Sequence, residues 1–125
     1  MKKIIKTDKA PKAIGPYSQG VIVDGFIYTA GQIGLNPLTG NMVEGGVKEQ
    51  TMQALENIKA VIEAGGANLD NVVKTTVYLI KSEDFPLMNE VYARYFNNEP
   101  PARTTIFVSG LPKGALVEIE AIARL

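Results

Sequence analysis

An arginine and two glutamates near the C-terminus are the residues of this chain best suited to chemistry. Arg103 follows Pro100-Pro101-Ala102 and opens a β-prone stretch, and further on Glu118 and Glu120 alternate with apolar residues. A planar guanidinium fork makes paired hydrogen bonds to a carboxylate. A carboxylate shifted by its surroundings can act as general acid or base. The second role matters because the chain has no histidine and no cysteine. Their absence excludes a thiolate nucleophile, a Ser-His-Asp triad, a disulfide framework and any Cys- or His-ligated zinc or iron site. Acid–base work must fall to Asp, Glu, Lys or Tyr shifted by environment, or to backbone groups and water.

Three other places offer polar groups. Gly15-Pro16-Tyr17-Ser18-Gln19-Gly20 is a rigid loop presenting a phenol and a hydroxyl, although Tyr17 plugging the core accounts for it equally well. Gly31-Gln32-Ile33-Gly34 follows a strand, so a backbone N–H there could meet an anion. It is no dinucleotide fingerprint, since no helix opens after it. Asn89 lies on a helical stretch, where a solvated side chain is the simpler account. If the loop near Pro112 is a hairpin turn, the Arg103 and Glu118 regions approach each other. An ordinary cross-strand ion pair is then the simplest use of the two residues.

The elements that must position these groups follow from the apolar pattern. Residues 2–6 read as an edge strand, and 20–24 and 26–31 as two strands joined by the hairpin dipeptide Asp24-Gly25. Val47–Ala64 carries one stripe (Thr51, Ala54, Leu55, Ile58, Val61, Ile62) at helical spacing, with Glu49 in its first turn and Gly65-Gly66 as its stop. Val72–Ile80 is dense in β-branched residues and predicts a central strand. Ser82 or Asp84 should cap a second helix, with Met88, Val91, Tyr92 and Tyr95 on its apolar face and Pro100-Pro101 ending it. Two strands, about Arg103–Ser109 and Ala115–Leu125, complete a β-β-β-α-β-α-β-β order in one α+β unit.

Two helices cover one face of such a sheet. On the last strand Val117, Ile119, Ala121 and Ala123 point one way, and Leu116, Glu118, Glu120 and Ile122 the other. A homo-oligomer packing sheet to sheet would bury the second face. With 13 basic and 13 acidic residues the net charge is +0, which disfavours binding driven by neutralising phosphates. No apolar run approaches a membrane span of roughly 20 residues, and the N-terminus lacks the apolar core of a signal peptide, so a cytoplasmic protein is expected.

Taken together, several stretches resemble one family. Residues 10–20 (APKAIGPYSQG), 30–33 (AGQI), 73–79 (VKTTVYL), 89–92 (NEVY), 101–105 (PARTT) and 111–123 (LPKGALVEIEAIA) are similar, in this order and spacing, to the signatures of the Rid (YjgF-like) imine deaminases. The resemblance implies a chorismate-mutase-like fold and a homotrimer with active sites in the clefts between subunits. It implies that Arg103 grips a substrate carboxylate, that Tyr17, Gly31 and Asn89 line the site, and that Glu118 handles the water or the proton. Many deaminase members carry cysteine two residues after the arginine. Here Thr105 stands there, where the usual role is a backbone carbonyl contact.

The implied activity is hydrolysis of 2-iminobutanoate and 2-iminopropanoate, or their enamines, to 2-keto acids and ammonia. It needs no metal, organic cofactor or covalent nucleophile, which suits a chain without Cys or His. The implied partners are small 2-imino and 2-keto acids, with neither nucleic acid nor membrane. A regulatory trimer that binds small carboxylates without turning them over is the alternative. An RNA-directed nuclease ranks last, given the neutral charge and the absence of a basic, aromatic-rich stripe. Retention of Glu118 beside Arg103 favours the enzyme, because a binder needs only the arginine.

Overall fold

The computed structural model describes residues 1–125. Six strands, β1 (Lys3–Ile5), β2 (Gly20–Val23), β3 (Phe26–Thr29), β4 (Val72–Leu79), β5 (Ala102–Phe107) and β6 (Val117–Arg124), form one mixed sheet in the order β1-β2-β3-β6-β4-β5. Helices α1 (Val47–Ala64) and α2 (Phe85–Tyr95) lie on one side of it. This is the α+β order expected from the pattern. No helix is long and apolar enough to cross a membrane.

The hairpin between β2 and β3 turns at Asp24 and Gly25, both at positive φ (50° and 80°). Such a turn matches the twist of the flanking strands, and Asp-Gly adopts it readily. The predicted stripe of α1 is buried from Thr51 to Ile62, and the Glu49 carboxylate accepts the Gly46 N–H (2.8 Å) at the helix start. Met88, Val91 and Tyr92 are the buried face of α2. Ala54, Leu55, Ile58, Val61 and Ile62 of α1 and Met88 and Tyr92 of α2 meet Ile27, Val77, Leu79, Val117 and Ile119 in one core.

Four local expectations need correction. Asp84 stands at the N-cap of α2, as one of the two expected residues, but makes no side-chain capping bond; it and Ser82 belong to a 3-10 turn that runs straight into the helix. α2 stops at Tyr95, five residues before Pro100, because Phe96 leaves helical geometry. Leu116 precedes β6 and packs against the core, where its N–H is held by Gln50 Oε1 (2.8 Å). The largest correction is that β5 and β6 are not a hairpin. β4 lies between them, parallel to β5 and antiparallel to β6.

That insertion of β4 decides the site's geometry. Arg103 is level with Thr75 on β4, and Thr75 is buried against the helices. Glu118 is level with Tyr78, whose neighbours Val77 and Leu79 point into the core. Because successive side chains alternate, Arg103 projects from the helix-covered face and Glu118 from the bare one. Two strand spacings across and three residues along place them roughly 10 Å apart in each direction. They form no ion pair within the chain, where Lys48–Glu90 is the salt bridge present.

Candidate active site

The bare face carries the acid–base candidates. Between β3 and β6, Tyr28 pairs with Ile122 and Gln32 with Ile119, four residues along one side against three on the other. The extra residue is a bulge at Ala30–Gly31. Thr29 Oγ1 accepts the Ala121 N–H (3.0 Å) in place of a ladder bond, and Ala30 N–H turns away to Gln19 O (2.8 Å). Bulges re-aim the chain and interrupt pairing. Here the result is that Gly31 N–H and C=O make no hydrogen bond within the chain.

The Glu118 carboxylate lies directly over Gly31. A Cβ built on Gly31 would stand 1.9 Å from Glu118 Oε2, so only glycine allows this approach. The glycine expected as an anion-binding N–H is thus needed first for space. Around it a cleft of about 330 Å³ is lined by Pro11, Lys12, Ile14, Tyr17, Ile33, Leu35 and Pro112. Burial first, and then the charge of Glu120, holds the Glu118 carboxyl above the ordinary carboxylate range. Glu120 is committed elsewhere, accepting the Tyr78 O–H (3.2 Å). The cleft therefore singles out Glu118 from the pair.

Tyr17 does not plug the core. Its side chain is 49 % exposed at the cleft, and its hydroxyl accepts the Ile14 N–H (3.2 Å). The walls are fastened by buried amides that the sequence pattern had not singled out. Gln19 Nε2 donates to the carbonyls of Thr7, Ala10 and Pro11 (3.0, 3.2 and 2.8 Å), and its Oε1 accepts the Thr7 N–H. Asn57, fully buried in the stripe of α1, donates to Ile33 O (3.1 Å) and Leu35 O (2.9 Å). Asn57 had a signal, a polar side chain inside the apolar stripe of α1, where burial demands a partner; Gln19, in a loop, had none.

Across the sheet Arg103 occupies a shallow pocket with Asn89, Tyr92, Phe96, Pro100 and Pro101. Its guanidinium carbon stands 4.8 Å from the Tyr92 ring centroid and 5.6 Å from that of Phe85. Thr105 is two residues along β5, on the same face. Asn89 Oδ1 is buried without a hydrogen-bond partner. An unsatisfied buried acceptor beside an unpaired guanidinium is an unfinished polar site. The six expected residues thus fall into two groups, Tyr17, Gly31 and Glu118 on one face and Asn89, Arg103 and Thr105 on the other.

The Endoribonuclease L-PSP family pattern matches residues 7–125. A Rid-family protein from Yersinia pestis superposes with a TM-score of 0.97 at 48 % identity, covering 100 % of both chains. The chain belongs to the Rid (YjgF-like, L-PSP) family. A RutC family protein of Pyrococcus horikoshii is 55 % identical over 98 % of both chains. The mouse 2-iminobutanoate/2-iminopropanoate deaminase is 52 % identical over 98 % of this chain and 91 % of its own. Names within the Rid family thus range from deaminase to endoribonuclease, and homologues called imine deaminases support a deaminase role here.

Proposed function

We propose that this Rid protein is a homotrimeric, cofactor-independent 2-imino acid deaminase, with each site built from the Glu118 face of one subunit and the Arg103 face of the next. The observation that carries it is the Glu118 carboxylate, lifted in pKa and laid over the unbonded backbone of Gly31. The mouse relative, named for this substrate pair, supports the choice of reaction. Assembly follows from the separation of the two groups: no small acid can touch side chains on opposite faces of one sheet. The bare face, with Ile4, Tyr28 and Ile106 between 40 % and 56 % exposed, offers apolar surface for a second copy.

In this scheme the Arg103 fork takes the substrate carboxylate through two N–H donors. Asn89 Oδ1, which lacks a donor in the chain, accepts a hydrogen bond from the substrate or the neighbouring subunit. The imine nitrogen carries a proton, which makes C2 electrophilic. Glu118 takes a proton from water as its oxygen bonds to C2, then passes that proton to the nitrogen of the carbinolamine. The C2–N bond breaks, ammonia leaves and takes up the hydroxyl proton, and a 2-keto acid and ammonium remain. A carboxyl whose pKa burial raises accepts a proton more readily than an exposed one, which suits both steps. Protonated Glu118 can also donate to C3 of an enamine to give the imine. For the nuclease name in the family, the cleft of one subunit offers Lys12 as its only cation, and with Arg103 of the next subunit the proposed site has two, little with which to hold a phosphate chain.

The test is an assay with imine made in situ by a threonine or serine dehydratase, following keto acid or ammonia release. Release faster than in the protein-free reaction supports the proposal. Binding of 2-oxobutanoate without acceleration would favour the regulatory carboxylate binder instead.

A further inference from the structure

Arg103 is held in an unusual way for a half-buried cation, with two aromatic faces and no acid. Its register partner on β4 is Thr75, whose hydroxyl meets the Tyr92 hydroxyl at 2.6 Å in the buried core. Tyr92 is therefore fixed at its tip by the residue beside Arg103, while its ring lies 4.8 Å from the guanidinium carbon. Phe85 flanks the same guanidinium at 5.6 Å. A cation held by π-faces keeps its planar N–H donors uncommitted, whereas a carboxylate partner would occupy them.

We propose that Tyr92, locked by Thr75, is a positioning residue that seats Arg103 and so sets the affinity of the site for the substrate carboxylate. The proposal rests on the role assigned to Arg103 above. The competing account is that Tyr92 only fills the core, of which it is a part. Core filling would alter stability and act on turnover through loss of folded protein. A seat acts through Arg103 alone, on binding more than on kcat.

The experiment measures the Kd of 2-oxobutanoate by calorimetry, and KM and kcat for imine hydrolysis, on the full-length assembled protein. Tyr92→Leu removes the ring, and the expected result is a rise in Kd and KM of roughly tenfold with kcat moving less, the scale of a desolvated cation–π contact. Tyr92→Phe keeps the ring and should return most of that loss. In an Arg103→Lys background, adding Tyr92→Leu should change KM by less than about twofold, because the planar fork that the ring orients is gone. Wild-type Kd and KM in Tyr92→Leu, or an equal effect in both backgrounds, would overturn the proposal. Should Tyr92→Leu not fold, Thr75→Val cuts the lock and keeps the ring. It should raise KM about two- to fivefold in the wild type and not in Arg103→Lys, in line with loss of one hydrogen bond, and equal effects in both would again overturn it. A wild type that binds 2-oxobutanoate but does not hydrolyse imine removes the deaminase proposal and leaves the seat open to the binding test. A wild type that binds no 2-keto acid overturns both.

Discussion

The two faces of the sheet hold their key side chains by different means. On the bare face the position of Glu118 is set by backbone: a bulge at Ala30–Gly31, a glycine with no room for a Cβ, and loops tied down by Gln19 and Asn57. On the helix side Arg103 is set by side chains, two aromatic rings and a buried hydroxyl pair. A carboxylate that moves protons benefits from a fixed, partly dry environment that shifts its pKa. A guanidinium that reads another carboxylate benefits from donors left unpaired. On the proposed mechanism each face carries one half of the reaction.

The comparison is broken most directly at Glu118. Glu118→Gln keeps the shape but removes the base, and imine hydrolysis should fall by roughly 10²-fold or more while 2-oxobutanoate still binds. Glu120→Gln, measured in the same assay, should fall by less than about tenfold, since that carboxylate is engaged by Tyr78 and has no part in the proposed mechanism. The reverse ranking would mean the working carboxylate is misassigned.

Gly31→Ala probes the backbone side of the comparison. The added methyl collides with Glu118 Oε2, so the carboxylate must swing away, and kcat should drop by roughly ten- to a hundredfold, the usual cost of about 1 Å of misplacement. Wild-type kcat in this variant would show that Glu118 does not act from its seat over Gly31. On the other face, Arg103→Lys keeps charge and loses the fork. Titration with 2-oxobutanoate should show affinity weakened about tenfold, with turnover reduced as well. Unchanged kinetics would remove Arg103 from the site.

The smallest expected effect is on stability and has a definite sign. Folding raises the Glu118 pKa, so this group's contribution favours the folded state below its unfolded pKa and is lost as pH rises through the folded value. Glutamine stays neutral throughout. Glu118→Gln should therefore raise Tm relative to wild type at neutral pH, with the gain shrinking as pH falls to the acidic side of the carboxylate range. A Tm lowered at neutral pH would mean the charged form is stabilised in the assembled protein.

How far the residues foretold this arrangement depends on whether local pattern or distant pairing decides. The Asp24-Gly25 hairpin, the span of α1 and the two-faced alternation of β6 are local, and they stand where periodicity put them. Strand order is not local. Nothing in the stretch from Ala102 to Arg124 announces that β4 inserts between its two strands, so a hairpin was the natural and mistaken expectation. The same gap made Arg103 and Glu118 look like an ion pair. Family resemblance named the six site residues, Glu118 as the working carboxylate among them, but did not assign them to opposite faces, and the strand pattern alone set Glu120 beside Glu118 as a second candidate. The seat over Gly31 and the Tyr78 hydroxyl give the two carboxylates different surroundings. Gln19 and Asn57 were visible as polar residues, yet their partners are carbonyls of loops whose path only the fold defines.

The central claim is that the two prepared faces meet only between subunits, and subunit mixing tests it most directly. Glu118→Gln and Arg103→Ala chains, each nearly inactive alone, are unfolded together in equal amounts, refolded, and assayed for imine hydrolysis. If each site draws its carboxylate from one subunit and its guanidinium from the next, random assembly gives intact pairs in about one site in four, and close to a quarter of wild-type activity returns. Mixed assemblies, confirmed by mass, that stay as inactive as the parents would contradict the account, because Glu118 and Arg103 would then have to act within one chain.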